Sequence, residues 1–166
     1  VYYGNGRGKT TAALGLGIRA AGVGKQVIMV QFLKKKHSDT LDFLKKLEPE
    51  LQIFRFEKAA CGYSDLSPKE KQEQMLNIKN ALGYSRKVLD TGQCDLLILD
   101  EIFGLVDYNI ITIEELMDLI AVKKDSMDLI LTGRNLPEEV REIADCVYSI
   151  QREKEKTPEI LAQGIS

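Results

Sequence analysis

Apolar and polar positions follow two rhythms along the chain. Val27-Ile-Met-Val-Gln31 and the Leu-Leu-Ile-Leu run inside Asp95–Asp100 are continuous apolar stretches of strand length. Such runs suit strands buried on both faces of a parallel sheet. Met127–Thr132 and Cys146–Ile150 read as further strands, and Gln52–Phe56 alternates as a shorter or more exposed one. Val1–Tyr3 reads as the remnant of a strand, and since the chain opens on Val1 instead of Met, residues are expected before it.

Between these runs lie segments with helical punctuation. Lys9–Ala21 is rich in helix formers and small residues and is stopped by Gly22 and Gly24. A polar stretch from Phe32 to Asp39 precedes a helix expected from about Asp39 to Leu47, closed before Glu48-Pro49. Glu57–Leu66 is expected to be a loop. Ser67-Pro68-Lys69-Glu70 combines a Ser N-cap, Pro at the first helical position and a Glu that closes a capping box. The helix it opens runs to about Thr91, with Met75, Ile78, Leu82, Ser85 and Leu89 on one face. Thr112-Ile-Glu-Glu115 opens another, to about Val122, and Pro137–Ala144 is a short one. Strands alternating with helices predict an α/β fold with a mainly parallel sheet of about six strands.

Composition narrows the class. At 166 residues the chain is long enough for one domain with a sizeable core, and residues 1–166 are taken as that single domain. It is 44% hydrophobic and 29% charged with a net charge of -2, so bulk charge gives no reason to expect nucleic acid as a partner. Lys34-Lys35-Lys36 reads as a local, solvated basic loop, with contact to a phosphate tail as the alternative. Three cysteines, Cys61, Cys94 and Cys146, are odd in number, widely spaced and in no C-x-x-C pair. They argue against a disulfide framework or a zinc site and suit a reducing cytoplasm. No apolar run reaches the roughly 18 residues of a membrane span, so no membrane partner is expected.

The chemistry concentrates in Gly4-Asn5-Gly6-Arg7-Gly8-Lys9-Thr10-Thr11. Glycines let backbone N–H groups turn toward an anion, and the following helix N-terminus adds partial positive charge. Lys9 would neutralise phosphate, and the Thr10 hydroxyl would complete a Mg²⁺ shell. The general P-loop pattern places its first Gly where Tyr3 stands, so this loop is one residue short. The alternative is a Gly-rich turn that binds nothing. Asp100-Glu101 closes an apolar run in the Walker B manner, with Mg²⁺ orientation as the functional reading and a capping or loop-solvating acid pair as the other. Arg134, in Thr132-Gly133-Arg134, either touches phosphate or bridges to a surface acid. The only histidine, His37, sits in a polar loop, and no Ser-His-Asp or Cys-His arrangement is available. The attacking group must therefore come from a substrate.

Taken in order, these motifs resemble the ATP:corrinoid adenosyltransferases. The likeness is carried by Gly4–Ala13, Arg19-Ala-Ala-Gly22, Gly24-Lys25 and Val30-Gln-Phe-Leu-Lys34. Leu99-Asp-Glu101, Thr132-Gly-Arg134, Ala144-Asp145 and Ala162-Gln-Gly-Ile165 continue it. That family has the same shortened phosphate loop. The resemblance implies a three-layer, RecA-like P-loop domain, a homodimer, an electron-donor protein, and ATP, Mg²⁺ and a corrinoid at the site. It implies ATP held by Gly4–Thr11 with its triphosphate reversed relative to ordinary ATPases, so that C5′ faces cobalt. Lys9, Thr10, Asp100 and Glu101 would be catalytic, with Thr10, Asp100 and Glu101 holding the metal and Arg134 beside the nucleotide. Tyr63 either lies beneath the corrinoid or is an ordinary loop aromatic packed on the core.

Three stretches depart from the family pattern. Asp65 in Gly62-Tyr63-Ser64-Asp65 stands where a Trp is expected, and the chain has no Trp. Glu153-Lys154 replaces a Lys-His pair, and the Gly-Glu of the loop after Lys34 is missing. Two other readings remain: an ATP-binding relative that senses nucleotide or handles corrinoid without transfer, and an unrelated P-loop ATPase or kinase.

Overall fold

The computed structural model describes residues 1–34, 44–56 and 63–154. Its strands are β1 (Tyr2–Tyr3), β2 (Val27–Gln31), β3 (Leu51–Arg55), β4 (Leu96–Asp100), β5 (Asp128–Gly133) and β6 (Tyr148–Ser149). They form one six-stranded sheet in the order β3-β2-β4-β5-β1-β6, with every pairing parallel. Five α-helices are described: α1 (Lys9–Ala21), α2 (Pro68–Thr91), α3 (Ile102–Asp107), α4 (Ile113–Ala121) and α5 (Glu138–Ile143). The architecture is a three-layer α/β fold of the P-loop type, as the alternation of strand and helix signals predicts. Among the described residues, no helix is long and apolar enough to cross a membrane.

The continuous apolar runs are explained by two separate cores. Val27 and Met29 of β2, Leu51 of β3, and Leu96 and Ile98 of β4 point to one face, where Ala13 of α1 joins them. Ile28, Val30, Leu97 and Leu99 point to the other, into a larger core shared with Ile78 and Val88 of α2, Phe103 of α3 and Leu116 of α4. Because both faces are covered, every residue of β2 and β4 is buried. Alternation along a strand then has a useful corollary. Gln31, Arg55 and Asp100, which end their strands in register, share a face with α1 and the turn that precedes it.

Both capping boxes form. Ser67 Oγ accepts from the Glu70 N–H while the Glu70 carboxylate accepts from the Ser67 N–H, and Thr112 and Glu115 repeat the arrangement. The buried stripe of α2 is rotated from the expected one. Gln74, Ile78, Ala81, Ser85, Val88 and Leu89 are buried, whereas Met75 and Leu82 are only partly so. The seam thus does not follow the largest apolar side chains. The first part of the helix expected at Asp39–Leu47 lies outside the described residues, and its end is a single 3₁₀ turn, Lys45–Leu47. Lys35, Lys36, His37, Cys61, Gly62 and the Ala162–Ile165 tail also lie outside them.

Helix α3 is absent from the sequence reading. It begins directly after Glu101, whose backbone is left-handed at φ 63°, and has no side-chain cap. Its Ile-Phe-Gly-Leu-Val stretch has no one-sided period because four of its residues, Ile102 to Leu105, are buried.

The Ser67 cap gives the first test. Ser67→Ala removes an N-cap acceptor and is expected to lower the unfolding free energy by about 1 kcal/mol. Urea denaturation should show a lower midpoint with an unchanged slope.

Candidate functional site

Residues 4–8 join β1 to α1 and lie across the exits of β5 and β6. The Gly4 N–H donates to the Arg134 carbonyl at 2.9 Å, and the Gly6 N–H donates to the Ile150 carbonyl at 2.9 Å. A Cβ on either glycine would collide with the Ile150 backbone, so the turn can lie this close only without side chains there. Gly8 has φ +106° and leads directly into α1. The glycines thus seat the turn on the sheet edge and hand the chain to a helix N-terminus.

Lys9 folds back over this turn. Its ammonium donates to the carbonyls of Gly4, 2.7 Å away, and Gly6, 3.0 Å away. Partial burial lowers its pKa, the Glu101 charge opposes that shift, and Arg134 and Lys34 add to it. Lys9, Glu101, Arg134 and Lys34 therefore share one electrostatic neighbourhood, with Asp100 also contributing.

Asp100 is the centre of the hydrogen bonding. Its side chain is fully buried. Thr10 Oγ1 donates to it at 2.9 and 3.0 Å, Thr132 Oγ1 at 2.7 Å and Gln31 Nε2 at 3.1 Å. Gln31 is itself held by Arg55, whose Nε donates to Gln31 Oε1 at 2.7 Å. Burial lowers the Arg55 pKa while Asp100 acts to raise it. Arg55, Gln31, Asp100 and Thr132 thus form a row across the carboxyl ends of β3, β2, β4 and β5. The row extends to Glu101, whose backbone N–H donates to Thr132 Oγ1 at 2.8 Å. Carboxyl ends of parallel strands are where ligands collect in open α/β sheets.

Lys34 completes the surround. The Phe32 N–H donates to the Asp100 carbonyl at 2.9 Å, and Leu33 turns left-handed at φ 54°. The Lys34 ammonium lies 3.2 Å from Thr10 Oγ1 and 3.5 Å from Asp100 Oδ2. This lysine is a paired member of the site and not the start of a solvated loop. Gln31 and Arg55 are not singled out by the sequence, whereas Lys34 enters it only within a basic run with phosphate contact as the alternative, and Thr132 only within the strand-end cluster Thr132-Gly133-Arg134. The available signal was positional, since Gln31, Arg55 and Thr132 all lie at or near the polar ends of strand runs.

The structure gathers Gly4, Asn5, Gly6, Arg7, Gly8, Lys9, Thr10 and Thr11 on one segment, with Asp100, Glu101 and Arg134 around Lys9. Tyr63 lies elsewhere. Its ring is 5.3 Å from that of Tyr108, and Lys71 Nζ stands 5.8 Å from its centroid. Tyr108 caps the C-terminal end of α3, the helix that starts at Glu101. Seven residues of helical rise separate the two ends by about 10 Å. Tyr63 is also half-buried and packs against the larger core, while Asp65 is exposed.

Thr10 and Asp100 offer hard oxygen donors, which suit Mg²⁺. Among the described residues no three His, Cys, Asp or Glu side chains cluster as a metal site. A divalent cation here would thus need water and ligand phosphate to complete its shell, as Mg²⁺ does in phosphate-handling sites.

The family model for ATP:corrinoid adenosyltransferase BtuR/CobO/CobP matches residues 1–165. The chain is 30% identical over 151 residues to a protein of Escherichia coli (strain K12) named corrinoid adenosyltransferase, covering 91% of this chain and 74% of that protein. It is 29% identical, with the same coverage, to corrinoid adenosyltransferase CobA of Salmonella typhimurium. A Nostoc sp. protein of uncharacterized function is 25% identical over 180 residues, 99% of this chain but 47% of that protein.

The Asp100 cluster makes a stability prediction of its own. Asp100→Asn would turn an amide N–H₂ toward groups that already donate, leaving buried donors unsatisfied. Thr132→Val removes one donor to the carboxylate and the acceptor of the Glu101 N–H. Each is expected to cost about 1–3 kcal/mol in chemical denaturation. Wild-type stability in Asp100→Asn would show that the carboxylate is not what these donors require.

Proposed function

The chain belongs to the ATP:corrinoid adenosyltransferase BtuR/CobO/CobP family, and on that premise we propose that it is a transferase placing the 5′-deoxyadenosyl group of ATP on the cobalt of a corrinoid. The observation that carries the reading at the level of geometry is the contact of Thr10 with buried Asp100 beneath the glycine turn. It joins a helix N-terminus, a lysine and a hard-oxygen pair in one place, as a nucleotide phosphate tail requires.

In the proposed reaction, Co(I) donates its electron pair to C5′ of ATP. A Co–C bond forms, the C5′–O bond breaks, and its pair leaves with triphosphate, so cobalt becomes formally Co(III). No side chain has to remove a proton in this step. Lys9, now resting on the Gly4 and Gly6 carbonyls, would exchange those acceptors for phosphate oxygens. Gly4–Thr11 would hold the triphosphate and Arg134 would add positive charge beside Lys9. Thr10 and Asp100, with Glu101 next to them, would hold Mg²⁺, which neutralises charge on the leaving triphosphate. The protein's contribution is then alignment and electrostatics. The corrinoid would lie toward Tyr63. A homodimer, an electron-donor protein and a cytoplasmic setting complete the proposal.

One observation favours a second reading, an ATP-binding relative without transfer. Asp65 is exposed where the family pattern expects a Trp, and a carboxylate cannot exclude water from a cobalt face as an indole does.

Two experiments separate these claims. Lys9→Ala removes a charge-assisted phosphate contact and is expected to weaken Mg-ATP binding by about 2–3 kcal/mol in calorimetric titration. EDTA should weaken wild-type binding too. Unchanged affinity in the variant would remove the phosphate site from the account. Asp65→Trp is expected to speed adenosylation of a Co(II) corrinoid with a weak reductant and to change little with preformed Co(I). If neither the rate nor the Co(II) absorption spectrum responds, residues 63–65 do not line the corrinoid.

A further inference from the structure

We propose that Lys34 is a resident counter-ion of the cation site, filling it when nucleotide is absent and releasing it only to metal and triphosphate together. The proposal rests on the nucleotide-site reading above and goes beyond it. The Lys34 ammonium contacts Thr10 Oγ1 and Asp100 Oδ2, two atoms that would ligate Mg²⁺. An ammonium and a divalent cation cannot both sit against that pair of oxygens.

The energetics favour the lysine there, as Arg55 and Lys9 act on Asp100 only from farther away. Asp100 is fully buried, and its partners Thr10, Thr132 and Gln31 are all neutral donors. Among the described residues, Lys34 is the one cation in ion-pair range of this carboxylate. A buried carboxylate without a cation nearby is costly, so the lysine stabilises the empty site. Its geometry also lets it leave. The Lys34 side chain is 31% exposed and sits on a long flexible stem, just past the left-handed Leu33.

Charge then sets the order of binding. Among the described residues, Lys9, Lys34, Arg55 and Arg134 surround Asp100 and Glu101, an excess of two positive charges. A free divalent cation meets these like charges and must expel Lys34 with no new partner for it. A metal–triphosphate complex brings several negative charges, and Lys34 can move from Asp100 to the phosphate tail. The lysine therefore makes free metal a poor ligand and couples the metal to the nucleotide.

The test is Mn²⁺ binding by electron paramagnetic resonance on the nucleotide-free full chain. Wild type is expected to bind Mn²⁺ weakly. Lys34→Met should bind it at least about tenfold more tightly, and Lys34→Arg, which keeps a cation, should stay near wild type. Lys34→Met combined with Asp100→Asn should lose the gain. If Lys34→Met is unfolded by circular dichroism, Lys34→Gln, which can still donate to Asp100, carries the same expectation. An unchanged Mn²⁺ affinity in the folded variant overturns the proposal, as does a gain that survives Asp100→Asn. Calorimetry of wild type with Mg-ATP keeps the two claims apart. Absence of any Mg-ATP binding would defeat the nucleotide-site reading itself, whereas normal binding with no Lys34 effect defeats only this inference.

Discussion

A buried carboxylate at a strand end sets the terms for everything around it. Asp100 has no exposure, so its charge has to be met by donors fixed within the protein. Those donors come from three places far apart in sequence: Thr10 at the start of α1, Gln31 at the end of β2 with Lys34 just beyond it, and Thr132 in β5. Each element's register is therefore tied to one atom pair. Slipping β2 or β4 by one residue would turn Gln31 or Asp100 to the opposite face. The same contacts bring Thr10 and the glycine turn to the carboxylate, so the fold's internal electrostatics and the proposed nucleotide site share one cause.

Much of this was legible beforehand because its causes are local. Ser67-Pro68 and Thr112 begin helices wherever they are placed, and α2 and α4 start where those residues say. The apolar runs of β2 and β4 could only be strands covered on both sides. Lys9, Thr10 and Asp100 follow from a phosphate-loop pattern and a strand-terminal acid. What was not legible depends on neighbours. Gln74 rather than Met75 is buried, a choice made by what α2 packs against and not by its own sequence. Helix α3 has no polar face to give a period. Lys34 was hidden in a run of three lysines, and only the turn at Leu33 shows that it points back to Asp100. The glycines had a second duty as well, since Gly4 and Gly6 must admit the Ile150 backbone.

The proposed reaction would use two unequal regions. Around Thr10 and Asp100 the hydrogen bonds are dense and buried, which favours a preorganised phosphate and metal site. Around Tyr63 the contacts are aromatic and half-exposed, and Asp65 beside it is exposed. Helix α3 links them, with Glu101 at one end and Tyr108 at the other.

The central claim is a transfer in which cobalt, not water, attacks ATP. Anaerobic incubation of the protein with Mg-ATP and a chemically reduced Co(I) corrinoid tests it directly. The account predicts a light-sensitive Co–C product in step with intact inorganic triphosphate, one for one. ADP and orthophosphate without any organocobalt product would contradict it.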